Sequence, residues 1–235
     1  MSAEKTGTRP AIVAVLMLAL SLPPAAAADR TRAEIERAIA AAAASGKGPE
    51  LADLDLSGLD LSGLDLARAD LFATRLAGAK LRGARLGEAN LTRVDLRGAD
   101  LSGADLAGAI LYAITAEGAD FSGADLTRAR VIGEAHGARF AKAKMVEADL
   151  GADPANQGMV PVRADLAGSI FDGADLSGAN LVHAVLTSAR FDGASLRGAH
   201  LDHAKLGDAD LRRADLTGAS RHGADTDGAR LPAAR

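Results

Sequence analysis

Leucine recurs at every fifth residue from Leu56 to Leu111, and leucine or phenylalanine does so again from Leu166 to Leu216. Five residues turn an α-helix by about 500°, which scatters such positions around the barrel. On a strand, an odd step sends alternate leucines to opposite faces. The chain must therefore turn at each pentapeptide. Four pentapeptides close one coil and let every leucine point to a common axis, which predicts a solenoid.

The position two residues before each central residue supports this packing. It is Ala164, then Ser169, then alanine at every fifth residue from Ala174 to Ala229. Coils stacked about 4.8 Å apart leave only a methyl-sized gap beside the leucines, so a small side chain is required there. The other positions carry Gly, Ser, Thr, Asp and Arg, which suit turns and solvent.

Ala99-Asp100-Leu101-Ser102-Gly103, Ala174-Asp175-Leu176-Ser177-Gly178 and their neighbours resemble the pentapeptide-repeat family. The resemblance implies an all-β chain, a right-handed quadrilateral parallel β-helix with a filled interior. It also implies, from the best-understood relatives, mimicry of duplex DNA and binding to type II topoisomerases (gyrase) with quinolone protection. In such relatives the dimer is built through C-terminal elements. Here the central positions turn polar at Arg221 and Thr226 and no C-terminal helix follows, so that mode of dimerisation is in doubt.

Residues 1–28 read as a signal peptide: Lys5 and Arg9, the apolar run Ala11 to Leu22, Pro23-Pro24, then Ala26-Ala27-Ala28 before Asp29. The apolar run is too short to span a membrane. The expected location is therefore exported, periplasmic or extracellular, with no membrane span after cleavage. Residues 29–48 follow as a short N-terminal capping α-helix, opened by the capping box Thr31-Arg32-Ala33-Glu34 and closed by Ser45-Gly46. Leu54, Leu59 and Leu64 replace the usual alanine in the first coil, giving the helix an apolar floor. Repeat coils are expected over 49–152 and 164–235, with 153–163 as a projecting loop containing Pro154 and Pro161. One residue is missing between Val131 and Phe140, and the spacing places the loss near Glu134 to Gly137.

Residues four pentapeptides apart stack on one face, which turns the sequence into surface columns. Phe72, Thr92, Tyr112 and Ile132, with Ile110 beside them, form a candidate protein-binding patch; the remaining aromatics occupy inward positions. His183, His200, His203 and His222 fall on three successive pentapeptides of one face with Asp202 among them. They are candidate ligands for zinc, nickel or copper, in a chain that otherwise calls for no cofactor.

Catalysis is not expected. Asp55, Asp60, Asp65, Asp70, Asp95, Asp100 and Asp105 precede leucines on outer faces, where no cleft shields them, and the chain has no cysteine. The net charge is -4, and loss of Glu4, Lys5 and Arg9 with the signal makes it -5 (-4 + 1 - 2). A duplex mimic needs continuous negative stripes, yet Asp55, Arg75, Asp95 and Asp60, Lys80, Asp100, Asp120 include cations along their columns. The expected role is an exported non-catalytic scaffold that binds a protein of the cell envelope, with no nucleic acid as partner. The alternatives are the DNA-mimicking gyrase binder and a surface metal-binding solenoid.

Overall fold

The computed structural model describes residues 29–152 and 162–233. The expected signal peptide, residues 1–28, and most of the expected loop, 153–161, lie outside the described residues. Most pentapeptides bend by the same local device. At the small inward positions Thr74 and Ala79, the backbone N–H donates to the carbonyl three residues earlier, 3.0 Å from Leu71 and 3.0 Å from Leu76 respectively. The residue before the central leucine is often aspartate, whose Oδ1 accepts the N–H two residues on: Ser57 to Asp55 at 3.0 Å, Ser102 to Asp100 at 3.0 Å. These Asx turns explain the aspartates structurally.

Successive turns stack by parallel bridging. Leu56 N–H donates to Arg75 C=O at 2.8 Å, and Arg75 N–H to Leu54 C=O at 2.8 Å. The bridged residues form columns that start at Glu50, Asp55, Asp60 and Asp65, and through the first coils each column steps by four pentapeptides. Where pairing lengthens, strands are defined: β1 (Ile110–Thr115), β2 (Arg130–Glu134) and β3 (Ala164–Asp165), a parallel sheet in the order β1-β2-β3. The result is a β-helix solenoid with one helix among the described residues. Leu56, Leu61, Leu66 and the other central leucines of the inner coils are fully buried, and so are most of the alanines two residues before them. Phe121, Phe140, Phe171 and Phe191 stack in one internal ladder, with centroids 4.9, 5.0 and 4.9 Å apart. Two inward positions are polar and buried, and each hydroxyl finds a carbonyl: Thr74 Oγ1 to Leu51 at 2.7 Å, Ser169 Oγ to Ala135 at 2.9 Å.

Helix α1 (Arg32–Ala44) carries the expected capping box at Thr31 and Glu34. It lies on the first coil: Ile35 is buried, Ala38, Ile39, Leu54 and Leu59 pack against the core, and Arg32 Nη1 donates to Asp60 C=O at 2.8 Å. Gly48 has to be glycine, since a Cβ there would sit 1.8 Å from the Arg68 carbonyl oxygen. No helix among the described residues is long and apolar enough to cross a membrane.

The missing residue is placed differently from the sequence expectation. Tyr112 pairs with Ile132, but Ile114 pairs with Gly133, so the loss falls between Ile132 and Gly133, opposite Ala113, and not at Glu134 to Gly137. Gly133 has φ 136°, and a Cβ on it would lie 2.3 Å from the Ile114 carbonyl oxygen. Only glycine lets the shortened coil lie this close to its neighbour.

Candidate functional site

The bridge column that starts at Glu50 runs through Asp70, Asn90, Ile110, Arg130, Asp149, Asn180 and His200 to Ser220. This one face holds both of the chain's predicted surface clusters. Toward its middle, Ile110 is 45% exposed, an unusual state for a large apolar side chain in this molecule. Tyr112, two residues on, and Phe72, two coils away on the same face, are half-buried. Each ring carries a cation: the Arg130 guanidinium lies 4.9 Å from the Tyr112 centroid, and that of Arg93 lies 5.8 Å from Phe72. The coil-length ruler could have found both arginines, since each stands within two positions of one coil from its aromatic.

Ile132 does not belong to this patch. It is fully buried although it stands outside the core cluster. Next to it, Gly133 N–H donates to Arg163 C=O at 3.3 Å, where the chain rejoins the ladder. Thr92 remains on the face, its N–H held by Asn90 Oδ1 at 3.1 Å.

Further along, the structure brings together three of the four histidines. His183 and His203 stack with centroids 4.9 Å apart and planes 13° apart, and His222 meets His203 edge-on at 5.9 Å. His200 sits on the bridge column between Asn180 and Ser220, outside this stack. The Asp202 carboxylate is held by the next coil: Oδ1 accepts the His222 N–H at 2.6 Å and Oδ2 the Ser220 hydroxyl at 2.7 Å. Those two hydrogen bonds, the Ser220 one first, hold its carboxyl below the ordinary range. Among the described residues, no three His, Asp or Glu side chains converge as a ready-made metal site.

The aspartates pair along their columns. Arg75 Nη2 reaches Asp55 at 2.7 Å and Arg85 Nη1 reaches Asp65 at 3.0 Å, each one coil apart. Asp55 is only 4% exposed, and the hydrogen bond from Arg75, followed by those from Ser57, lowers its carboxyl to about 2.

The pentapeptide-repeat family model matches residues 50–87, 74–112, 87–128, 162–198 and 194–231, in 8 copies. The chain belongs to the pentapeptide-repeat family. Among solved structures, this pentapeptide-repeat protein is similar to HetL, involved in heterocyst differentiation regulation in the cyanobacterium Nostoc, at 30% identity over 88% of this chain and 99% of that one, TM-score 0.48. It is also similar to QnrB1, a plasmid-mediated fluoroquinolone resistance protein, at 19% identity over 75% and 86%, TM-score 0.32. A third is Rfr23, a pentapeptide repeat protein from the cyanobacterium Cyanothece, at 22% identity over 65% and 90%, TM-score 0.18. No curated protein matches the chain.

Proposed function

We propose that this protein is an exported, non-catalytic scaffold that binds a protein partner of the cell envelope through the face centred on Ile110 and Tyr112. The observation that carries the reading is the exposure of Ile110, 45%, beside the half-buried Tyr112 and with Phe72 two coils away on the same face, each ring under an arginine. Apolar surface rimmed by guanidinium groups suits a protein interface, where aromatic and arginine side chains dominate the energy. The pentapeptide-repeat family generally supplies such scaffolds rather than catalysts. A right-handed quadrilateral path accords with a turn at every pentapeptide and bridges one coil apart, and it would make the face flat.

A gyrase-binding DNA mimic is the weaker reading because charges along the columns pair with one another, as Asp55–Arg75 and Asp65–Arg85 do, which interrupts the negative charge along those columns. Export is supported by the pattern of residues 1–28. N-terminal sequencing of the protein from fractionated cells tests it: a start at Asp29 in the exported fraction is expected, and an intact Met1 in the cytoplasm would overturn it and call for a gyrase supercoiling assay. The patch is tested by partner recovery with Phe72→Ser plus Tyr112→Ser, for which undiminished recovery discards it.

A further inference from the structure

His183 and His203 occupy the same corner of successive coils, and the ladder holds them there: His183 N–H donates to Asp202 C=O at 3.0 Å and His203 N–H to His222 C=O at 2.9 Å. Their φ angles, 63° and 58°, are left-handed. The same corner is glycine in the next coil, Gly223, with φ 65°. That glycine matters to the rings, because a Cβ on Gly223 would sit 2.6 Å from His203 Nδ1. The missing side chain lets the His203 imidazole lie over the last coil, beside His222. All three histidines are exposed, their rings stacked or edge-on to one another.

We propose that His183 and His203 form a two-imidazole surface clamp for a divalent late transition-metal ion, with His222 as the third ligand. Neutral imidazole nitrogens select copper, nickel and zinc over calcium and magnesium, and copper(II) should bind most tightly. A four-coordinate ion with nitrogens at about 2.0–2.1 Å needs donor atoms roughly 3.3 Å apart. The stacked rings stand 4.9 Å apart, so they tilt together by torsions that solvent exposure leaves free. His222 swings in from its edge-on position, and water fills the remaining coordination. Asp202 is not a ligand: its oxygens are held by Ser220 and the His222 backbone, and they fix the turn that presents His222. His200 and His136 take no part; His136 Nε2 lies instead 3.1 Å from Asp165 Oδ2.

The left-handed corner supplies a clean variant. Glycine is the residue that this backbone conformation favours, so His183→Gly plus His203→Gly removes both rings without straining the fold. Titrating untagged protein with copper(II) and with zinc, followed by calorimetry, should show at least about tenfold weaker binding in that double variant. Its thermal midpoint should be unchanged or raised. His222→Ala should give a smaller loss, and His136→Ala plus His200→Ala none. Copper(II) electron paramagnetic resonance of the wild type should show coupling to imidazole nitrogens that the double glycine variant lacks. The proposal is overturned if the double glycine variant binds both metals as tightly as wild type, if the His136/His200 variant loses the binding, or if wild type fails to saturate at roughly 1 mM metal.

Discussion

In the first coils every bridge joins residues four pentapeptides apart, as from Asp60 to Lys80 to Asp100. In the middle the same column takes one short step, Asp120 to Arg139, then a long one, Arg139 to Ile170, before the regular step resumes at Arg190. The internal phenylalanine ladder ignores this: Phe121, Phe140, Phe171 and Phe191 keep spacings of 4.9, 5.0 and 4.9 Å. Both irregularities are absorbed in one corner, between the column of Ile132 and the column of Gly133 and Ala164. The interior tolerates no change in rise, because each buried side chain packs on the ones above and below; a corner open to solvent can lose or gain residues. The lesson is that this solenoid concentrates its variation where Ile110 and Tyr112 also lie.

The contrast can be broken most forcefully from inside. Phe140→Ala opens a cavity in the ladder within the shortened coil and should cost about 3–5 kcal/mol in denaturant unfolding; a far smaller cost would mean that the ladder is loosely packed there. Glycines separate the two regions next. Gly133→Ala should cost roughly 2–3 kcal/mol because its Cβ meets the Ile114 backbone at 2.3 Å. Gly98→Ala, at a regular corner with nothing within 4 Å, should cost only about 1 kcal/mol from its left-handed φ of 62°. Equal costs would dissolve the distinction.

Native-state hydrogen exchange compares the regions without mutation. The Gly133 N–H, 3.3 Å from its acceptor, should exchange at least about tenfold faster than that of Leu101, whose acceptor is 2.7 Å away. Uniform protection from Gly133 through Leu150 would contradict a weaker coupling there. The smallest effect belongs to a charge pair of the regular coils. Asp55 has a folded value of about 2 against an ordinary 3.8, so its stabilisation is present above about 3.8 and is lost as pH falls toward 2. Asp55→Asn should therefore destabilise by less than about 1 kcal/mol at neutral pH, Arg75 being largely exposed, and the gap to wild type should close as the pH falls through that window. A gap that persists at the acid end of the window would assign the effect to something other than the charge.

Much of this was legible in the residues. The leucine period, the small inward position, the Thr31–Glu34 cap and the paired charge columns all follow from local rules: a turn at every pentapeptide and a neighbour one coil away. The coil-length ruler also placed His183 over His203 and Phe72 near Tyr112. It failed at Ile132, which is buried; beside it the chain rejoins the ladder only at Arg163 and Ala164, well after the regular step would have brought it back. It also passed over Arg93 and Arg130, because long flexible side chains reach across columns. The partner of Asp202 was hidden for a related reason: its carboxylate is claimed by the Ser220 hydroxyl and the His222 N–H of the next coil.

By itself, the sequence determined the repeat, the inward leucine and alanine ladders and the helix over the first coil, because each depends on residues close in the chain or one coil apart. Only the tertiary structure decided where the missing residue falls, that Gly133 alone fits there, which surface apolar groups stay exposed and which histidines stack. Those outcomes depend on how non-equivalent coils meet at a single corner or face, and close packing, not periodicity, sets that meeting.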